Sequence, residues 1–204
     1  MRRSELLRRL ADLEEFSEPD PALEQVSTPP ELTADLLESA LARGDLVDRV
    51  VADLGTGPGR IAVGAALLGA RRVVGVDSDE RALTVARRNA ARSGVLLDLR
   101  SGSVETFAEP VDTVVMNPPF GAQRRHADRP FWEAAFRCAR GAIYAFALAE
   151  SRTFIARWAV ERSVPIFETR RVRFELSARF RHHRKRSVTL AVDLWVLGAA
   201  QTNP

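Results

Sequence analysis

Asn117, Pro118, Pro119 and Phe120 follow the apolar run VDTVVM without a break. Two consecutive prolines have no N–H to donate, fix their own φ and push the preceding residue toward extended geometry, so a strand ends here with Asn117 at its tip. The turn presents an amide side chain, a carbonyl and an aromatic face, groups suited to a flat substrate that offers N–H donors. Read alone, Pro-Pro also fits a plain strand-ending loop.

A second constellation lies upstream in VVADLGTGPGR, where Asp53 closes a strand and Gly55, Gly57 and Gly59 form the turn into a helix. Glycines there permit tight turning and close approach of a ligand to free amides at the helix start. Asp77, ending the next strand in VVGVDSDE, stands at the distance expected of a carboxylate that accepts from ribose hydroxyls. A nicotinamide dinucleotide is one candidate ligand, but its pyrophosphate normally calls for G-x-G-x-x-G. Here the glycines alternate as G-x-G-x-G behind a carboxylate, Asp53, which opposes a pyrophosphate and suits a cationic amine and sulfonium. S-adenosyl-L-methionine fits these residues better.

Other reactive side chains argue less. His126, His182 and His183 form no metal triad with an acid, so no metal site is expected. Cys138 is the single cysteine, which excludes an intramolecular disulfide and a cysteine-rich zinc site, and its surroundings FWEAAFRCAR read as helix. Net charge is only +3, but lysine occurs once, at Lys185, and arginines dominate a stretch without acids, RFRHHRKR. Arg181, His182, His183, Arg184, Lys185 and Arg186 in that stretch, with Arg124 and Arg125 beyond the Pro-Pro turn, are candidate phosphate contacts; a solvated charged loop is the alternative. Trp132, Trp158 and Trp195 sit in helix and strand patterns that mark them as core or partner contacts rather than base-stacking platforms.

The elements that must position these groups follow from periodicity. Leu6, Leu7, Leu10, Leu13 and Phe16 predict an amphipathic helix within residues 3–16, and a second helix is expected near 31–43. From Arg49 strands and helices alternate: strands in RVVADL, RRVVGVD, VLLDLR, VDTVVM and AIYAFAL, with helices between. The final runs PIFETRRVRFEL and SVTLAVDLWVLG have no helix between them and should pair antiparallel. The expectation is an α/β, Rossmann-like fold: a mostly parallel seven-stranded sheet, helices on both faces and a C-terminal antiparallel hairpin. At 204 residues the chain suits one domain, with an N-terminal helical segment over 1–45 and a core over 46–204. No apolar run approaches the roughly 20 residues that cross a bilayer, and the charged N-terminus differs from a secretory signal, so an intracellular, cytoplasmic protein is expected.

DLGTGPG, GVDSDE and NPPFG together resemble the class I methyltransferases that modify exocyclic or amide nitrogens. LEQVSTPP, VVADLGTGPG, LGARRVVGVDSDE, VDTVVMNPPFG and FRHHRKRSVTLAVDL extend the likeness over nearly the whole chain, to the small methyltransferase-like family that makes N6-methyladenosine in small-subunit ribosomal RNA. That resemblance implies that the segment before the sheet closes over the cofactor through Gln25 and Thr28. It also puts Gly55, Gly57, Pro58, Gly59 and Arg60 near the methionine part, Asp77 at the ribose, and Ser103 with Val104 at the adenine. Serine at 103 departs from the common acid and accepts more weakly.

In the implied reaction, Asn117 Oδ1 and the Pro118 carbonyl accept from an adenine amino group and aim its lone pair at the methyl donor, while Pro119 stiffens the turn and Phe120 stacks on the base. NPPF alone is shared with guanine-N2 RNA methyltransferases and glutamine-N5 protein methyltransferases, and a decayed fold that only binds RNA is a further alternative. The resemblance also implies a small zinc-binding activator protein docked on the third strand, where Val95, Leu96, Leu97 and Leu99 are expected on both faces of an exposed edge.

Overall fold

The computed structural model describes residues 1–121, 126–176 and 188–199. Strand alternation sets the centre. In β1 (Val50–Leu54) Val51 packs on one side of the sheet while Ala52 and Leu54 pack on the other, all buried. Strands apolar on both faces require helices on both faces. One layer holds α1 (Arg3–Ala11), α2 (Pro30–Ala42) and α3 (Arg60–Leu67), whose Leu36, Leu37 and Ile61 meet Val51, Val73 and Val115. The opposite layer holds α5 (Arg129–Cys138) and α6 (Arg152–Glu161), with Trp132 and Trp158 packed against Val114, Met116 and Ile143.

Seven strands run in the order β3-β2-β1-β4-β5-β7-β6. The others are β2 (Arg72–Asp77), β3 (Asp98–Ser101), β4 (Val111–Met116), β5 (Ala139–Leu148), β6 (Ile166–Leu176) and β7 (Val188–Gly198). The chain builds outward from β1 to β3 through α3 and α4 (Glu80–Ser93), then returns to β4 on the far side of β1. β1 and β4 are parallel neighbours whose following loops diverge, which makes a crevice at their C-terminal ends, where open α/β sheets bind ligands. β7 lies antiparallel between β5 and β6, so the expected hairpin is present and closes the sheet.

Two elements differ from their expected bounds. α1 stops at Ala11, because residues beyond it leave the helix to dock elsewhere. β3 begins at Asp98 rather than Val95. α4 ends in left-handed Gly94 with the Val95 N–H bonded to Ala90 O, and the chain needs the next residues to reach the sheet. Leu97 is thereby turned inward, within 3.9 Å of where a Cβ on Gly59 would stand, and Leu96 is 95% exposed. Among the described residues no helix is long and apolar enough to cross a membrane.

Candidate active site

The crevice between β1 and β4 deepens into a cavity of about 520 Å³. One wall is the glycine turn. Gly55 (φ 72°) and Gly57 (φ 53°) are left-handed, and a Cβ on either would lie within 3 Å of the Phe131 or Phe16 ring respectively. Any side chain there would therefore be both strained and obstructed. The Gly57 N–H donates to Asp77 Oδ2 at 2.8 Å and the Asp79 N–H to Asp77 Oδ1 at 2.9 Å. Burial pushes the Asp77 carboxyl up from its ordinary value while these backbone donors hold it down.

Asp77 lines the cavity with lone pairs to spare. Asp77→Ala is expected to weaken binding of S-adenosylmethionine or S-adenosylhomocysteine about 10- to 100-fold, the size of losing hydrogen bonds to a charged acceptor. Titration calorimetry measures this, and unchanged affinity would show that the carboxylate serves only the turn.

Asp53 lies behind the turn, outside the cavity lining. Its Oδ2 accepts from Thr56 Oγ1 at 2.8 Å and the Ala62 N–H at 3.1 Å, while Oδ1 is buried without a partner. Burial raises its pKa from 3.8 to about 7, and Asp77 adds to the rise. Because the folded value exceeds the unfolded one, the stability it contributes is full below about pH 4 and is lost as pH rises through 7. The melting temperature of Asp53→Asn, compared with the parent from pH 4 to 8, should fall less with rising pH. A parent-like slope would mean that Asp53 is ionised throughout.

The segment over 12–29 forms the cavity's cover. Asn89, fully buried on α4, donates to Glu14 O at 2.9 Å and Pro58 O at 2.8 Å and accepts from the Glu14 N–H at 2.8 Å, welding this segment to the glycine turn. Gln25 donates to Asp79 Oδ2 and accepts from the Asp20 N–H, both at 2.8 Å. Glu24 Oε2 accepts from the Gly121 N–H at 2.9 Å. Buried Arg60 donates to Thr28 O at 2.7 Å and pairs with Glu15 at 3.5 Å, so it ties down the cover rather than lining the cavity.

Asn117 faces the cavity from the end of β4. Its Nδ2 donates to Thr28 Oγ1 at 3.0 Å, which fixes the amide plane, and its Oδ1 is buried without a partner. A buried acceptor left unpaired costs about 1–3 kcal/mol, an expense that makes sense where a substrate donor will meet it.

Of the residues singled out in the sequence, the structure brings Gln25, Gly55, Asp77, Ser103, Val104, Asn117 and Pro119 to one cavity. Ser103 Oγ accepts from the Glu105 N–H at 3.2 Å, starting the 3-10 turn Val104–Thr106. Thr28, Asp53, Gly57, Pro58, Gly59, Arg60 and Pro118 are not among the cavity's lining residues. Phe120 packs perpendicular to Phe174 at 5.4 Å, beside the cavity rather than in it. Arg124, Arg125, Arg181, His182, His183, Arg184, Lys185 and Arg186 lie outside the described residues. Phe16, Glu24, Glu105 and Phe131 also line the cavity, and the sequence reading missed them. Only Phe16 carried a signal, as the last apolar position of a helix pattern that then broke off.

Asp77 with lone pairs open to the cavity and the left-handed glycine turn beside it fit S-adenosylmethionine. The chain matches the ribosomal protein L11 methyltransferase family over residues 31–118, the cofactor half through the first proline of the turn. Fold, site and match define a class I S-adenosylmethionine-dependent methyltransferase.

Similarity over the full length is more particular. The chain is 34% identical over 202 residues to the rRNA N(6)-adenosine-methyltransferase METTL5 of Danio rerio, covering 95% of this chain and 97% of that protein. It is 30% identical to the Drosophila melanogaster protein of the same name, covering 91% of each. A crystal structure from Pyrococcus horikoshii, of a protein with a provisional RNA methyltransferase designation, superposes with a TM-score of 0.91 at 36% identity, covering 98% of this chain and 99% of that one. The chain belongs to the METTL5 family of rRNA N6-adenosine methyltransferases.

Proposed function

We propose that this protein transfers a methyl group to N6 of an adenosine in small-subunit ribosomal RNA, in the cytoplasm. The observation that carries the reading is Asn117, its amide clamped by Thr28 and its Oδ1 buried and unpaired. S-adenosylmethionine, when bound, supplies an electrophilic methyl group. Everything else is done by the chain. Asn117 Oδ1 and the Pro118 carbonyl accept the two N–H bonds of the adenine amino group, draw N6 from planar toward pyramidal geometry and direct its lone pair into the cavity. As positive charge develops on N6 these acceptors bind it more strongly than they bound the neutral amine, which lowers the barrier selectively. The surplus proton leaves to water. Phe120, braced by Phe174, stacks on a base that has left its own stack. The segment over 1–45 closes on the cofactor through the contacts of Glu14, Glu24, Gln25 and Thr28.

RNA reaches the site along the β6–β7 ribbon in this reading. The last β5 pair is Leu148 with Val192, but β6 and β7 go on pairing to Leu176 and Val188, about 13 Å farther along the strand direction. The ribbon overhangs the edge where Asn117 lies, and the basic stretch 181–186 falls between its two strands in sequence, outside the described residues. Nucleoside mass spectrometry of separated ribosomal subunits from a deletion strain tests the proposal. Loss of N6-methyladenosine from the small subunit alone is expected, and loss only from the large subunit, or of N2-methylguanosine instead, would refute it.

A small zinc-binding activator that adds a strand beside β3 belongs to the same proposal. β3 is an edge of only four residues, and the fully exposed Leu96 precedes it. Leu97, turned inward, does not suit this contact. Leu96→Lys should abolish co-purification with such an activator while leaving the melting temperature of the isolated chain unchanged. Undiminished co-purification would place the partner elsewhere.

A further inference from the structure

Asp193 is an anomaly of β7. It is fully buried on the face it shares with Trp195 and Leu197, where an apolar side chain would be ordinary. Arg152, opening α6, donates to it through Nε and Nη2, each at 2.8 Å, and Arg171 on β6 donates through Nε at 2.7 Å. Burial pushes the Asp193 carboxyl up, yet the two guanidiniums outweigh it and hold it below its ordinary value. Well-packed apolar residues commonly serve a core as well as a buried ion pair does, so the triad's distinctive effect is placement.

That placement is specific. Asp193 pairs with Ala147, and Met116 pairs with Ala145, so Asp193 stands in the cross-sheet row just past Asn117, two strands away, on the order of 10 Å. Arg152 and Arg171 remain about half exposed, 46% and 52%, with most of their N–H groups unused by Asp193. One carboxylate neutralises one of the two, so the pair keeps a positive charge. Arg129 at the cavity mouth lies 4.9 Å over the Phe154 ring, and Phe154 is two residues on from Arg152, which joins the cavity to the pair. Arg173, exposed two residues along the same face of β6, continues the line.

We propose that Arg152 and Arg171, held rigid by Asp193, grip backbone phosphates of the RNA strand flanking the target adenosine, with Arg173 extending the track. This rests on the reading of the site as an RNA methyltransferase. Guanidiniums whose planes are fixed before binding match phosphate in bidentate fashion and lose little freedom on contact. Such contacts position the strand and leave base choice to the pocket.

The test measures binding of a fluorescent single-stranded rRNA fragment by the full chain at several salt concentrations, beside calorimetry with S-adenosylhomocysteine. Arg152→Gln and Arg171→Gln should each weaken RNA binding about tenfold and flatten the log–log salt slope by about 0.7, leaving cofactor affinity unchanged. Arg152→Lys and Arg171→Lys should keep the slope, because the charge stays. Should a glutamine variant fail to fold, Arg173→Ser decides, since it takes no part in the Asp193 bonds and should flatten the slope by the same increment. A parent-like slope in these variants overturns the track even if the parent methylates RNA. A parent that binds RNA with the expected dependence but transfers no methyl group supports the track and refutes the activity.

Discussion

Asn117→Ala is expected to lower the methylation rate by roughly 100–1000-fold, the usual scale for removing one group aimed at transition-state charge, while cofactor affinity stays within about twofold. The separation follows from geometry. Asn117 is anchored through Nδ2 to Thr28 and presents only Oδ1, whereas the cofactor's expected contacts are Asp77, the glycine turn and the 3-10 turn after β3. Truncation removes the acceptor proposed to reshape the amino group and leaves the cavity floor in place. Single-turnover methylation and calorimetry on the same preparation measure both sides. Parent-like turnover would end the mechanism, and a collapse of cofactor affinity would mean that the amide serves the cofactor. Thr28→Val should fall between, because Asn117 remains but its plane is no longer fixed.

Asn89→Ala is expected to be the most damaging substitution away from the chemistry. The side chain is fully buried and satisfies the N–H and C=O of Glu14 and the C=O of Pro58. Alanine leaves three backbone groups without these partners, one buried and two partly buried, and opens a gap between α4 and the cover. A loss of about 3 kcal/mol is expected, and at this chain length that lowers Tm by roughly 6–12 °C. Cofactor affinity should fall as well, because Phe16 lies against Gly57 only while Glu14 is held. Thermal melts with and without S-adenosylhomocysteine check both effects. A Tm within about 2 °C of the parent would show that the cover is held by its salt bridges to Arg88 and Arg92 instead.

How much of this was legible in the sequence depends on the range of the interactions. The strand that ends at Asn117 could be read because prolines act on their own backbone, and the glycine turn because left-handed φ is a local demand. The cover is expected only from the family resemblance, and the contact that fastens it could not be read from the residues. Asn89 looked like one polar position in an amphipathic helix, and nothing in VARRNAARSG announces that it bonds Glu14, 75 positions earlier. Val95, Leu96 and Leu97 read as strand because apolar runs favour strands, but Gly94 leaves the chain short of the sheet and turns Leu97 inward. Arg60 is expected near the ligand because the family resemblance implies it, and Asp53 because its charge suits a cationic cofactor. The structure puts both behind the turn, one tying the cover down and the other bonded to Thr56 and the start of α3. Asp193 carried no signal, since one acid in a long strand usually faces water and its partners come from two other elements.

The most direct test is to incubate the purified protein with ribosomal RNA and S-adenosylmethionine bearing a labelled methyl group, digest the RNA, and identify the labelled nucleoside by mass spectrometry. Label in N6-methyladenosine with the parent protein, and none with Asn117→Ala, is the predicted result. Label in N2-methylguanosine, or on protein instead of RNA, would contradict the account.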